Sequence, residues 1–554
     1  MQNQKIIDLI SKNLFFEAKI ECKTLLNIYP ENSDIFHLLG IIFLKEKNFK
    51  EAIDLIKKSI NLNKNNYSAF NNLGTCHSNL GNHDESLKNY DKAIKLKPDY
   101  AEAYNNKGVI LKNLGRIDEA IESYNKAIKL KPNYIDVYYN KGVALQSIFD
   151  FEQSLKNYNR SIELKPDFAQ AYNNRGFVLK NLGYIDEAIE SYNKAIKLKP
   201  GFHDPINNLG FIFQLQKDYK KALLHFNKAL EIDHGSEDKK FNIGLLNLKF
   251  KKFKEGWEGY ELRKKLKNRD IKLKKYDSFE NPNLHQLKNK DILIYAEQGL
   301  GDIIQFSRYI KLLLKFNNKI TFKIYPSLLK LFKPLNNYCE LTSLEVDPLK
   351  FDYVCSLLSL PIIFKTDYTN IPPVTQEFLH IENDKILFWQ NEIKNNNFKI
   401  GIAWKGNVEN KLIFDKSLEL KLFNNISNIK NLDLISLQKD FKPELENPNG
   451  LIKIKNFKNI DNTKDSFLDT AAIIKSLDLI ISVDTSIAHL AGTLGKNTWL
   501  ILKCDPDWRW FLDDNRTPWY PSMSLFRQDQ IGSWKNPFTQ IESNLEKLIK
   551  KIKL

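Results

Sequence analysis

"AEAYNNKGVILKNLGRIDEAIESYNKAIKLKPNY", residues 101–134, is one copy of a unit whose spacing recurs along the first half of the chain. Glycine returns every 34 residues, as Gly40, Gly74, Gly108, Gly142, Gly176, Gly210 and Gly244. The same register holds the small residues Ser86, Ala120, Ser154, Ala188 and Ala222, and the aromatics Tyr90, Tyr124, Tyr158, Tyr192 and Phe226. Ala93, Ala127, Ala195 and Ala229 share a further position, and Pro98, Pro132, Pro166 and Pro200 close their units. A fixed period of this length marks a repeat architecture. Small residues at Gly108 and Ala120 let two antiparallel helices approach closely, and Tyr124 fills the groove beside them. The proline stops the second helix, because it lacks an N–H and restricts the residue before it. One helix pair cannot bury its own apolar face, so successive pairs stack into a solenoid with a concave surface.

This pattern resembles the tetratricopeptide repeat, over about residues 1–265. One further column matters. Asn72, Asn106, Asn140, Asn174, Asn208 and Asn242 each stand two residues before a repeat glycine. A carboxamide offers both a donor and an acceptor. Such a column on the inner helices reads either as a ladder for the backbone of an extended polypeptide or as a solvated helix face. The array is similar to that of the O-linked N-acetylglucosamine transferases, which implies the first reading.

The bulk composition sets bounds. A chain of 554 residues is too long for one core. Apolar residues make up 42% and aromatics 12%, enough to bury sizeable cores. The net charge of +16 would suit an anionic partner. The excess is mostly lysine spread along the chain, and no basic block interleaves with aromatics, so nucleic acid is not the expected partner. The cysteines (Cys22, Cys76, Cys339, Cys355 and Cys504) are odd in number and lack CxxC spacing. Neither a disulfide scaffold nor a zinc site fits, and a reducing, cytoplasmic compartment is expected. No apolar stretch approaches the length of a membrane span, which leaves peripheral association open.

The 34-residue register ends after "FKEGWEGYELRKK" (253–265), and residues 266–290, including "ENPNLHQL" (280–287), read as a linker. Short β-branched runs then alternate with helical segments. "DILIYA" (291–296), "ITFKIY" (320–325) and "DYVC" (352–355) form one series of predicted strands. "KIGIAW" (399–404), "LDLISL" (432–437), "LDLIISV" (477–483) and "TWLILK" (498–503) form a second. Alternation of this kind predicts parallel sheets with helices on both faces. The expected fold is therefore an all-α repeat solenoid (1–265) followed by two α/β Rossmann-like lobes, 291–395 and 396–554. Ligands of such sheets sit beyond the carboxyl ends of the strands.

Three turns occupy those ends. "EQGLGD" (297–302) follows the first strand, where Gly299 and Gly301 admit close backbone approach. From spacing alone, Asp302 reads as a helix cap. "SVDTSIAHLAGTLG" (482–495) places Asp484, Thr485 and Ser486, all good N-cap residues, at a helix start with His489 one turn inside. A helix N-terminus there could receive a diphosphate; the bland alternative for His489 is packing. "GIAWKGN" (401–407) brings Lys405 to a strand end, and Lys416 and Ser417 follow in a polar loop. The cluster Trp508, Arg509, Trp510, Trp519 and Tyr520 reads as an aromatic plug or as a base-stacking surface. The chain lacks the GxGxxG, P-loop, HExxH and GxSxG signatures.

The order "AEQGLGDIIQFSRY", "GIAWKGN", "SLQKD", "SVDTSIAHLAGTLGK" and "DPDWRWFL" to "PWYP" is similar to the glycosyltransferase domain that follows tetratricopeptide repeats in many bacterial proteins. That domain resembles the ADP-heptose:lipopolysaccharide heptosyltransferases of glycosyltransferase family 9. "GWEGYELR" (256–263) resembles the junction of such proteins. The resemblance implies a GT-B fold and an inverting, metal-independent transfer. The sugar would pass from a nucleotide-sugar donor to a protein or envelope-glycan acceptor presented by the repeats, with no cofactor. It implies Asp302 as the general base and Gly299, Gly301, Lys405, Lys416, Ser417, Asp484, Thr485, Ser486 and His489 as the donor side. One departure stands out: where the relatives carry an arginine-containing segment ending in Arg-Ser, this chain has "VENKLIFDKS" (408–417). Lysine keeps the charge but loses the bidentate fork. The alternative expectation is an interaction scaffold whose GT-B module is degenerate.

Overall fold

The structure, a computed structural model, describes all residues except 1, 267–272, 278–280, 407–416, 440, 458–459, 462–466 and 553–554. It divides into two compact units, residues 1–205 and 206–554.

The first unit holds six antiparallel helix pairs, from Gln2–Ser11 and Phe15–Ile28 through Ala169–Asn181 and Ile185–Leu198. The sequence register fixes the packing. A Cβ on Gly108 would lie 2.6 Å from the Tyr124 ring, so only glycine admits the tyrosine between the two helices. Tyr124, Tyr158 and Tyr192 are fully buried, as are Ala120, Ala127 and Ala188.

The second unit begins with two further pairs, His203–Leu215 with Tyr219–Ile232 and Glu237–Lys249 with Phe253–Glu261. The division between units falls inside the helix His203–Leu215, upstream of residue 265 where the sequence period ends. Packing explains this. Leu248, Phe253, Trp257 and Tyr260 belong to one hydrophobic core with residues of both sheets. Trp257 Nε1 donates to the Thr366 carbonyl at 2.7 Å, and Lys249 pairs with Asp505.

Two sheets follow. The first contains β1 (Asp291–Tyr295), β2 (Lys319–Lys323), β3 (Glu340–Thr342) and β4 (Tyr353–Ser356), all parallel, in the order β3-β2-β1-β4. The second contains β5 (Phe398–Ala403), β6 (Leu432–Ser436), β7 (Ile454–Lys455), β8 (Leu479–Val483), β9 (Thr498–Leu502), β10 (Arg516–Thr517) and β11 (Tyr520–Arg527). Its order is β10-β11-β9-β8-β5-β6-β7, with only β10 antiparallel. All seven predicted strands are present, and β3, β7, β10 and β11 are additional. In each sheet the strand order reverses beside a central strand, β1 or β5. Open α/β sheets bind ligands beyond the carboxyl ends of the strands at such a reversal, which directs attention to the turns that leave the sheets there.

The junction motif at 256–263 anchors the repeats to the first sheet. Trp257, Tyr260 and Arg263 recur every third residue and all face inward. The Arg263 guanidinium donates to Glu297 from Nε (3.0 Å) and Nη2 (2.6 Å), and to Ser356 and Ser359 from Nη2. Glu297 is 1% exposed. Removing one partner of such a pair leaves a buried, uncompensated charge. Arg263→Met is expected to destabilise the second unit by about 3–5 kcal/mol, and Arg263→Met/Glu297→Gln to recover part of that loss. Urea unfolding followed by tryptophan fluorescence checks this, since all eight tryptophans lie after residue 205.

Candidate functional site

The asparagine column lies on the inner helices, half-buried, and links consecutive repeats. Asn106 Nδ2 donates to Asn71 Oδ1 (3.1 Å), and Asn140 Nδ2 to Asn105 Oδ1 (3.0 Å). Asn174 Nδ2 donates to the Tyr139 hydroxyl at 3.1 Å. Asn72 Nδ2 lies 2.9 Å from His37 Nε2, where the carboxamide donates to a neutral imidazole. Within each pair the asparagine stands one repeat after its partner, so one of its donors ties the two units together. A carboxamide also has a second N–H and an oxygen with two lone pairs. Asn105 Nδ2 and Asn173 Nδ2 use that oxygen on Asn106 and Asn174, at 3.2 Å each. Asn208 and Asn242 lie half-buried on the inner helices of the second unit.

The turns of the second unit meet closely. Helix Leu300–Phe306 follows β1, and helix Ser486–Thr493 follows β8. A Cβ on Gly301 would lie 2.7 Å from His489 Cδ2 and 3.3 Å from Ser486 Cα, so this glycine permits the two helix starts to touch. Gly299 caps the first helix, its N–H donating to Asp302 Oδ2 at 3.0 Å. The other Asp302 oxygen pairs with Arg509 Nη2. Burial raises the Asp302 carboxyl above its usual range, and Arg509 offsets part of that rise.

Arg509 is bound on every side. Its Nη1 reaches Asp507 Oδ1 (2.8 Å), its Nε reaches Gln305 Oε1 (2.8 Å), and its guanidinium stacks over Trp508 at 4.4 Å. His489 is 6% exposed, with Nδ1 2.9 Å from the Tyr520 hydroxyl and its ring stacked on Trp510 at 5.5 Å. Asp484 Oδ1 lies 3.9 Å from His489 Nε2. The Thr485 hydroxyl is 3.2 Å from Ser482 Oγ, and Ser486 opens the helix without a side-chain cap.

The residues after β5 make contacts of their own. Lys405 Nζ pairs with Glu446 at 2.9 Å, and Ser417 Oγ accepts the Gly406 N–H at 3.1 Å. Lys416 lies outside the described residues. Trp508, Trp510, Trp519 and Tyr520 are 2% exposed or less, which makes the aromatic cluster a plug.

Sequence reading missed Arg263, Glu297, Gln305 and the pairing of Arg509. Glu297 carried a signal: a carboxylate immediately after an apolar strand is buried at a cost unless a cation meets it. Nothing in the sequence named the cation.

Models described as tetratricopeptide repeat or TPR repeat match residues 33–66, 55–88, 79–115, 101–134, 150–183, 169–202 and 205–236. The first half thus carries tetratricopeptide repeats. Protein FlbA of Caulobacter vibrioides is 22% identical over 328 residues, covering 52% of this chain and 52% of FlbA. The chain therefore spans about half the length of that relative. Among solved structures, YrrB, described as a TPR protein with an unusual peptide-binding site, is 26% identical. The match covers 33% of this chain and 95% of YrrB, with a TM-score of 0.30. MamA of Desulfovibrio magneticus RS-1 is 25% identical over 31% of this chain and 96% of its own, with a TM-score of 0.29. Among the described residues no helix is long and apolar enough to cross a membrane.

The column also carries a pH dependence. Burial lowers the His37 pKa from 6.5 to about 4, against a smaller opposing effect of Asp34. A group with a depressed folded pKa stabilises the fold fully above its unfolded value and loses that contribution as pH falls. The first unit should therefore lose up to roughly 3 kcal/mol between pH 6.5 and 4 through this group. His37→Gln should flatten that window relative to the unsubstituted chain, as followed by circular dichroism during urea unfolding.

Proposed function

We propose that the protein is an interaction scaffold whose repeats bind an extended polypeptide, with the two-sheet region carried as a non-catalytic module. The observation that carries this reading is the row of carboxamides on consecutive inner helices, bonded repeat to repeat from His37 through Asn174. These bonds hold the side chains on consecutive inner helices and leave Asn72, Asn106 and Asn140 with capacity for a further partner, whereas Asn174 commits both N–H groups, to Tyr139 and Tyr158, and accepts from Asn173. Pre-organisation of this kind lowers the entropic cost of holding a flexible chain. Backbone-directed bonds would hold many sequences, as suits a scaffold. Against transfer, the expected general base and one expected donor-side cation are engaged within the protein: Asp302 by Arg509, and Lys405 by Glu446.

Calorimetry of the full chain with a panel of unstructured peptides tests the proposal. Binding is expected, weakened about tenfold in Asn106→Ala/Asn140→Ala, since each lost hydrogen bond is worth about 0.5–1.5 kcal/mol. Circular dichroism checks that the helices persist. Binding that these substitutions leave unaltered contradicts the reading.

A second reading, glycosyl transfer from a nucleotide-sugar donor to a protein or glycan acceptor, is favoured by one observation. Asp302 and His489 lie on the helices that follow strands of different sheets, and those helices touch at Gly301. In that reading Asp302 would leave Arg509 to accept the acceptor's proton, and the freed guanidinium and the Ser486 helix start would meet the diphosphate, without a metal. A panel of sugar nucleotides, assayed for released nucleoside diphosphate, separates the two readings. The scaffold reading expects none above background, whereas release that Asp302→Asn abolishes, with the sugar recovered on an added acceptor, would establish transfer.

A further inference from the structure

The residue before the repeat glycine is apolar in Leu73 and Leu209, both nearly fully buried, but cationic in three consecutive units: Lys107, Lys141 and Arg175. Each cation stands next to a column asparagine on its inner helix. Lys107 is neutralised inside the protein by Asp91, at 2.7 Å, from the second helix of the preceding repeat. One period on, the place of Asp91 is taken by Asn125, and two periods on by Asn159. Carboxamides thus stand in the register where carboxylates would be needed. Lys141 has no anionic partner among the described residues, and burial lowers its pKa with nothing to offset it. The Nε of Arg175 is buried without a hydrogen-bond partner among the described residues, and its guanidinium lies over the Tyr172 ring at 5.8 Å.

Two half-buried cations without counter-ions among the described residues, in adjacent repeats, are costly to the fold by themselves. Their repeat positions place them side by side, about 10 Å apart for packed helices. An extended polyproline-II-like chain brings every third residue to the same side at about 9 Å intervals. We propose that Lys141 and Arg175 select an acidic segment of polypeptide, receiving two carboxylates spaced three residues apart while the asparagine row holds the backbone. The proposal rests on the polypeptide-binding reading above and adds the class of ligand to it.

The test uses two labelled peptides on the full chain, repeated Glu-Ser-Ala and repeated Gln-Ser-Ala, followed by fluorescence anisotropy. The acidic peptide is expected to bind about tenfold tighter, with the advantage shrinking as salt rises. Lys141→Gln/Arg175→Gln is expected to remove the advantage. Asn125→Asp/Asn159→Asp, which supplies the missing internal partners without deleting either cation, is expected to do the same. Lys126→Gln/Lys156→Gln, an equal charge change at exposed sites, is expected to preserve the advantage. Equal affinity for both peptides, or an advantage that survives both cation-neutralising variants, overturns the anion pair and leaves polypeptide binding standing. Failure of either peptide to bind overturns both.

Discussion

A six-residue segment, the turn after β1 and the start of the helix that follows it, is held at both ends by arginines, and the second unit is organised around it. "EQGLGD" (297–302) opens with Glu297, taken by Arg263 from the end of the repeats, and closes with Asp302, taken by Arg509 from the loop after β9. Arg263 fixes where the last repeat meets the first sheet, and Arg509 fixes where the second sheet meets the same turn. All four side chains are largely removed from water, where ion pairs are strong only if further hydrogen bonds complete them. Ser356, Ser359, Gln305 and Asp507 supply those bonds. Gly301, between the two acids, lets the Ser486 helix start close against the loop.

That arrangement changes what the turn can be. An aspartate at a point built to favour anions is explained by a cap on Gly299 and a guanidinium, with no ligand required. The positive pole of a helix is worth about 0.3–1 kcal/mol to an anion, whereas leaving either buried carboxylate without its arginine costs about 3–5 kcal/mol. The larger effect sets the geometry. Function is then sought in the repeats, where asparagines recur on consecutive inner helices and two cations lack counter-ions among the described residues.

The repeat half was legible in the sequence because its signal is a period. Seven glycines in register fix helix pairing, and Gly108 facing Tyr124 reproduces the expected close approach. The strands of both sheets were legible where they are fully buried and apolar, as in β8 and β9. β11 was missed because Pro521, Ser522 and Ser524 interrupt its apolar run, although it pairs with β9 over five residues. The pairings at the turns were illegible for a different reason. Arg263 meets Glu297 and Arg509 meets Asp302 across long sequence separations, and local spacing says nothing about such partners. The asparagine column was visible, but its bonding from one repeat to the next emerges only when the helices stack.

Hydrogen–deuterium exchange of the full chain, with and without a bound unstructured peptide, tests the central claim most directly. The account predicts slowed exchange in the inner helices Ala101–Asn113, Ile135–Ser147 and Ala169–Asn181, with the turns 297–302 and 484–489 unchanged. Protection confined to those turns, with the inner helices unaltered, would contradict it.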